Sequence, residues 1–491
     1  MRPAAPSLRQ AEAVELHEVI RALEGRAAGA DPRLVGDPAV AVTVAVHDSR
    51  AVAPGCLYCC IPGARHDGHD FAGGAVEAGA TALLVERELD LPVPQLVVPS
   101  VREAIGPVAA LLAGDPSEHL EVVGVTGTNG KTTTTHLLAA ILEAAGRSCG
   151  TIGTLTGART TPEAPELQAQ LAAMVAEGRD AVAMEVSSHA LDQHRVDGTR
   201  FRVGVFTNLS QDHLDHHETM EAYFAAKARL FTPELCDVAV VNRDDTRGRL
   251  LAEVAAVPTR SYGLDDVADL VLSASGSAFT WRGQPVHLPL PGRFNVANAL
   301  AAATAAAELG IGADAVAAGL AAAGVVAGRF ERVEVGQPFL AVVDYAHTPE
   351  GLAELLGAAR ELTAGRVIVV FGAGGDRDHS KRPLMGEAAA AGADLVVLTT
   401  DNPRSEDPAA IISAVRAGID DETDLLVEPD RAAAIAAAVG AAGPDDAVVV
   451  AGKGHETTQV VGTEATPFDD RLVLADAIAA TGWSAGSEVA R

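Results

Sequence analysis

Eight short apolar runs, rich in β-branched residues, each end at a polar or glycine-rich segment. VVGVT (122–126) precedes GTNGKTTTT, AVAM (181–184) precedes EVSSH, VGVF (203–206) precedes TNLSQDHLDHH, and VAVV (238–241) precedes NRDD. Further along, LAVV (340–343) leads to DYAHTP, VIVVF (367–371) to GAGGDRD, LVVLTT (395–400) to DNPR, and AVVVA (447–451) to GKGHE. Runs of this kind between helical stretches are buried parallel strands. They restrict the chain to α/β sheets with helices on both faces. In open sheets of this type ligands collect beyond the carboxyl ends of the strands. Asp, His, Lys and Gly crowd those ends here, more densely than solvated loops require.

Two breaks divide the 491 residues, a length suited to three domains. Gly114-Asp115-Pro116-Ser117 makes a turn before the run at 122, and GVVAGRFERVEVGQP follows an alanine-rich region. The expected fold is a smaller N-terminal α/β domain (1–118), a central P-loop-type domain (119–330) and a C-terminal Rossmann-like domain (331–491). The central sheet is expected to be mostly parallel, with helices on both faces. A net charge of −29 excludes nucleic acid and anionic membranes as partners. The alanine-rich segment 297–328 is interrupted by Glu308 and Asp314, and reads as two packed helices rather than a membrane span. The first twenty residues hold no apolar core of signal-peptide type, which points to the cytoplasm. Cys56-x-x-Cys59, with His66 and His69 nearby, imitates a zinc motif, but the loop between the pairs is far too short for a zinc finger. The alternation in CLYCCIPG fits a strand with buried thiols instead.

GVTGTNGKTTTTHL combines a strand end, a glycine-rich turn and a helix start. Backbone N–H groups of such a turn cradle phosphates, the lysine neutralises their oxygens, and the next hydroxyl suits Mg²⁺. The generic Gly-x4-Gly-Lys spacing fails because Val125 occupies its first position. Gly124-x-x-Gly127-Thr128-Asn129-Gly130-Lys131-Thr132 stands instead. That variant resembles the phosphate loop of the Mur ligases and of their relative folylpolyglutamate synthase, ATP-dependent enzymes that join an amino acid to a carboxylate. MEVSSHALDQHRV, FTNLSQDHLDHH, YFAAKARLF, GRFNVANAL, DYAHTPEGL, FGAGGDRDHSKRPLMG, DNPRSEDP and GKGHE also resemble this family, in its order.

The resemblance implies that ATP phosphorylates a carboxylate to an acyl phosphate, which an amine then captures. It places Gly127, Thr128, Asn129, Gly130, Lys131, Thr132 and Thr133 around the phosphates. Arg329, Asp344 and His347 reach the γ-phosphate and ribose from the domain junction. Asn295 and Asn298 match adenine-side contacts, with helix capping the alternative, left open for Asn298. Thr132 and Glu185 are implied at one Mg²⁺ and His213 at a second, with His216 and His217 exposed or behind it. Lys131, Glu185, His213 and Lys227 form the implied catalytic set.

Only four residues are lysine, Lys131, Lys227, Lys381 and Lys453, whereas 33 of the 37 basic residues are arginine. A lysine retained on such a background marks a place where a guanidinium fails. The resemblance implies that Lys227 is carbamylated by CO₂, giving a carboxylate on a long arm beside the second metal. A solvated helix lysine is the alternative.

For the substrates, the resemblance implies a uridine-diphosphate-sugar site near Ser49, flanked by Asp48 and Arg50. Thr160, Thr161, Ser187, Gln193 and Arg195 match positions that hold the muramoyl-dipeptide, while TTPEAPELQ departs from a TTGSA form and leaves its other contacts open. Arg404 of DNPR, with Asp401, Asn402, Arg377, Gly452 and Glu456, forms the implied amino-acid pocket. A guanidinium there suits the distal carboxylate of meso-diaminopimelate and repels lysine's ammonium. A salt bridge from Arg404 to Asp407 is the alternative. The activity implied is addition of meso-diaminopimelate to the D-Glu carboxylate of UDP-MurNAc-L-Ala-D-Glu, by a monomer, in peptidoglycan precursor synthesis. Folylpolyglutamate synthesis gives no reason for DNPR, and a nucleotide switch gives none for Lys227.

Overall fold

The computed structural model describes residues 13–26, 31–63 and 66–483. The N-terminal sheet is built from β1 (Arg33–Val35), β2 (Val44–Val46), β3 (Cys56–Cys59), β4 (Ala82–Val85) and β5 (Gln95–Val97), in the order β1-β5-β4-β3-β2. Only β1 runs antiparallel to its neighbour. The alternation of β3 puts Cys56, Tyr58 and Cys60 in one apolar cluster and Leu57, Cys59 and Ile61 in another. Cys56 and Cys59 therefore face opposite sides of the sheet and cannot share a metal. Burial drives both thiols upward in pKa, Cys59 furthest.

The central sheet is wholly parallel, with β6 (Glu121–Thr126), β7 (Cys149–Ile152), β8 (Ala181–Glu185), β9 (Phe201–Phe206), β10 (Cys236–Asn242) and β11 (Thr259–Tyr262) in the order β11-β10-β9-β6-β8-β7. Val123 and Val125 of β6 pack on α1 (Lys131–Ala144) through Leu137, Leu138 and Ile141, while Val122 joins the core on the other face. Both faces are covered, which explains the unbroken apolar runs. A three-stranded antiparallel sheet spanning 267–288 is appended to this domain.

The C-terminal sheet places β12 (Leu340–Asp344), β13 (Val367–Phe371), β14 (Leu395–Leu398), β15 (Leu425–Val427) and β16 (Ala447–Ala451) in the order β12-β16-β13-β14-β15. These strands are parallel, and a two-residue antiparallel edge strand, Glu331–Arg332, precedes β12. All eight apolar runs are thus strands, four in each of the two large sheets.

The alanine-rich segment forms two helices, Arg293–Glu308 and Ala313–Ala322. Small side chains let the second lie directly on α1: a Cβ on Gly319 would stand 2.4 Å from the Ile141 Cα. Among the described residues no helix is long and apolar enough to cross a membrane.

Candidate active site

β6 lies between β8 and β9, so the loops leaving these three strands converge on one point. They carry the glycine-rich turn, Glu185, and the segment to His213. The loops after β12, β13, β14 and β16 face them across the junction. Together they enclose a cleft of about 700 Å³. Lys131, Glu185, His213, Lys227, Arg329, Asp344, His347, Arg377, Asp401, Asn402, Arg404, Gly452 and Glu456 all line it, as do Thr160, Thr161, Ser187 and Arg195.

The turn after β6 is held by close backbone approach. Gly127 (φ +152°) and Gly130 (φ +83°) have no room for a side chain: a Cβ would stand 1.8 Å from Thr207 Oγ1 and 2.2 Å from Asn298 Oδ1, respectively. Lys131 folds back over the turn, donating to the Gly127 and Thr128 carbonyls at 2.9 and 2.8 Å. Thr128, Asn129, Gly130, Thr132 and Thr133 line the cleft beside it. Glu185, 2% exposed, accepts from Thr132 Oγ1 (3.0 Å), the Thr154 N–H (2.8 Å) and Thr154 Oγ1 (3.2 Å). A buried carboxylate met only by neutral donors is a seat for a cation.

Lys227 sits on α4 (Met220–Ala228) but is 1% exposed, so it is no solvated helix lysine. Its Nζ donates to the Gly127 carbonyl at 2.8 Å, the same oxygen that Lys131 meets, and lies 4.6 Å above the Tyr223 ring. Burial, and then the charge of Lys131, hold the Lys227 amine well below its usual pKa against an opposing pull from Asp212. His213, at the start of α3 (Leu214–His217), is pushed down to about 2, chiefly by burial, and so presents a neutral imidazole. Both His213 (φ 55°) and Arg404 (φ 52°) adopt the left-handed backbone region, a strain that gathers at functional sites.

Asp212 joins the domains. Its carboxylate is 3.0 Å from Lys381 Nζ, 3.4 Å from His347 Nε2 and 3.5 Å from His213 Nε2. Burial alone would raise its pKa. The hydrogen bond from His347 and the charge of Lys381 oppose that, and the carboxyl is held well below the usual carboxylate range. Arg329 donates to Thr132 Oγ1 (3.2 Å) and stacks 4.3 Å over Tyr345. Asp344 accepts from the backbone of Phe330 and Ala346.

On the central-domain side, Thr161 Oγ1 donates to the Glu185 carbonyl (2.9 Å) and accepts the Ser187 N–H (3.0 Å). Arg195 donates to the Thr161 carbonyl (3.2 Å) and to Gln193 Oε1 (2.6 Å). The 162–168 stretch, expected to be a loop, starts a helix at Ala164 (Ala164–Ala176), and Glu163 just before it meets Arg102, Arg159 and Arg195 through its carboxylate. On the opposite wall Arg404 donates to the Gly375 carbonyl (2.7 Å); Asp407 caps the next helix through the Ala409 N–H. Glu456 accepts from Asn402 (2.7 Å) and Lys453 (3.3 Å). Gly452 approaches Asp401 so closely that a Cβ would lie 2.5 Å from its carboxylate.

The cleft does not include every expected residue. Ser49 lies on a 3₁₀ turn, Ser49–Ala51, of the N-terminal domain, and Asp48 caps it while pairing with Arg50. Asn295 is 1% exposed and donates to the Pro291 carbonyl (2.7 Å), one layer behind Asn298. Asn298 does line the cleft, and its helix begins at Gly292 without a side-chain cap. Gln193 stands behind Arg195. Sequence reasoning overlooked Asp212, Thr154, Tyr345 and His455, whose buried Nδ1 has no hydrogen-bond partner among the described residues. It gave Lys381 no role, although the scarcity of lysine was the signal.

Residues 42–124 match the catalytic domain of the Mur ligase family, 125–306 the Mur ligase middle domain, and 328–454 the Mur ligase glutamate ligase domain. The chain belongs to the Mur ligase family. It is 47% identical to the UDP-N-acetylmuramoyl-L-alanyl-D-glutamate–2,6-diaminopimelate ligase of Streptomyces avermitilis, over 90% of this chain and 93% of the relative. The ligase of the same name from Geobacillus thermodenitrificans is 44% identical over 88% and 94%. A solved UDP-N-acetylmuramoyl-L-alanyl-D-glutamate–2,6-diaminopimelate ligase superposes with a TM-score of 0.67 at 33% identity, covering 96% of this chain and all of that one. The Thermotoga maritima MurF ligase, solved with ADP, shares the fold at 20% identity and a TM-score of 0.63, covering 89% of this chain and 96% of that one.

Proposed function

We propose that the chain adds meso-2,6-diaminopimelate to the D-Glu carboxylate of UDP-MurNAc-L-Ala-D-Glu, consuming ATP through an acyl phosphate and releasing ADP and phosphate. The observation that carries this reading is the single cleft, in which Lys131, Glu185, His213, Lys227 and Arg404 face one space across two domains. The amide bond needs three reactants in one place, and this arrangement supplies it.

The glycine-rich turn and Lys131 take the phosphates, Asn298 borders the base, and Arg329, Asp344 and His347 approach from the junction. Thr132 and Glu185 would hold one Mg²⁺, with His213 and a carbamylated Lys227 at a second; ions bound there would supply neutralising charge for the phosphoryl oxygens. Carbamylation joins the Lys227 nitrogen to the carbon of CO₂ and releases one proton. It requires the neutral amine that burial and Lys131 favour. Thr160, Thr161, Ser187, Gln193 and Arg195 hold the dipeptide, and Ser49 lies at the uridine end. Arg404 pairs with the distal carboxylate of diaminopimelate, and Asp401, Asn402, Gly452, Glu456 and Arg377 shape the rest of that pocket. The protein works as a cytoplasmic monomer in peptidoglycan precursor synthesis, and so upstream of cell shape and division.

Phosphate release with ATP, Mg²⁺, UDP-MurNAc-dipeptide and either diaminopimelate or lysine tests the assignment. Release that requires both the dipeptide and diaminopimelate is expected. Release without an amino acid, or with lysine in preference, overturns it.

A further inference from the structure

Among the described residues, one group of three histidine, cysteine or acidic side chains offers ligand atoms that all lie within 4.8 Å of one another: Asp192, His216 and His217. It lies outside the set assigned above to nucleotide, Mg²⁺ and substrates. Asp192 ends α2 (Ser188–Asp192), and the two histidines end α3, so two short helices present the three groups to each other. The Asp192 carboxylate and His216 Nε2 already meet at 2.8 Å. His217 is the fixed member: it is buried, its ring stacks on Tyr223 at 5.1 Å, and its Nε2 lies 3.0 Å from Ser188 Oγ. Asp192 and His216 open to solvent, so an ion has a path in. His189 stacks on His216 at 4.3 Å and walls the site on the cleft side.

We propose that Asp192, His216 and His217 form a binding site for a divalent d-block ion, Zn²⁺ being the best match. Two imidazoles and one carboxylate are borderline ligands suited to Zn²⁺, Ni²⁺ or Cu²⁺, whereas Mg²⁺ prefers oxygen alone. Tetrahedral bonds of about 2.1 Å place ligand atoms about 3.4 Å apart. The observed separations, 2.8 Å for one pair and at most 4.8 Å for the others, bracket that value. Three protein ligands leave a fourth position for water. An ion here ties α2 to α3, and therefore links the segment leading to Gln193 and Arg195 with the one that begins at His213.

The site does not depend on the ligase reading, and its test needs no substrate. Full-length protein stripped with chelator is titrated with Zn²⁺ by calorimetry, and with Co²⁺ by visible absorption, in excess Mg²⁺ and without nucleotide. One equivalent is expected to bind, with the absorption of a four-coordinate, nitrogen-ligated Co²⁺. Asp192→Asn and His216→Phe should each weaken binding by more than the 10–100-fold typical of losing an outer-shell partner. His287→Ala, at an exposed histidine on the antiparallel sheet, should leave it unchanged. Zn²⁺ should raise the melting temperature of the wild type and of His287→Ala but not of the two site variants. The proposal fails if no stoichiometric ion binds, or if both site variants bind Zn²⁺ as tightly as the wild type.

Discussion

Replacing Lys381 with methionine should loosen the hold of the C-terminal domain on the central one. Lys381 and Asp212 are 5% and 6% exposed and lie 3.0 Å apart, one from each side of the junction. Methionine fills similar volume without charge, leaving Asp212 buried with two imidazoles at 3.4 and 3.5 Å. Breaking a buried pair by removing one partner costs about 3–5 kcal/mol. The remaining histidines favour the lower end, about 3 kcal/mol. At about 1.4 kcal/mol per tenfold, that shifts the balance between joined and parted domains more than 100-fold. Parting the domains returns Asp212 to water, so the free energy appears as opening rather than as unfolding of either domain. Small-angle scattering should show a larger radius of gyration. The nucleotide affinity measured by calorimetry should fall as the joined fraction falls, because the cleft is built from both sides. Asp212→Asn supplies the control: without the carboxylate, Lys381→Met should cost little more, giving a coupling of at least about 1.5 kcal/mol in the double-mutant cycle. A coupling under about 0.5 kcal/mol, with unchanged scattering, refutes the claim that this pair holds the junction.

Lys227 gives a pH prediction. Its folded pKa lies below the unfolded 10.5, so between these values the unfolded chain binds the extra proton and stability rises with pH. In CO₂-free buffer, denaturation curves should show that slope across the window below 10.5, and Lys227→Met should flatten it. With CO₂ present, mass spectrometry should find a carbamate on Lys227 that is lost as pH falls, and Lys227→Ala should recover activity with a short carboxylic acid. Arg404→Ala should remove a charge-assisted contact of about 1.5–3 kcal/mol, lowering kcat/KM for diaminopimelate by about 10–150-fold while leaving nucleotide affinity unchanged in calorimetry. Gly127→Ala should weaken nucleotide binding by about 1–3 kcal/mol, since its Cβ would collide with Thr207 Oγ1 and the backbone is left-handed; binding equal to the wild type contradicts that packing.

The fold was legible where local sequence decides burial. Each of the eight apolar runs carries its own instruction, since a strand covered on both faces must be apolar at every position. Their order of appearance then fixes which loops reach the carboxyl edge. The glycine-rich turn was legible for the same reason: Gly127 and Gly130 are demanded by contacts at 1.8 and 2.2 Å that no other residue tolerates. Asn295 was harder. It shares a motif and a helix face with Asn298, which donates to it at 3.4 Å, but it lies one turn nearer the helix start, where its amide is taken up by the Pro291 carbonyl and Asn298 stands between it and the cleft.

What remained hidden depends on pairing across the domain junction. Asp212 lies in a run of acids and histidines that reads as a metal cluster or a solvated loop, and Lys381 lies 169 residues further on. Neither is informative alone. Only the meeting of the two sheets turns a surface carboxylate into a buried one that requires a cation. The lysine count nonetheless anticipated where such demands fall. Lys131, Lys227, Lys381 and Lys453 all end in confined places where Nζ meets one or more backbone carbonyls or carboxylates within 3.3 Å. A planar guanidinium needs more width than these sites offer and cannot become a neutral amine. In a chain that elsewhere uses arginine, retained lysine therefore records steric and acid–base constraints of the fold: Lys131, Lys227 and Lys381 line the cleft, although only the first two had been given a role from sequence.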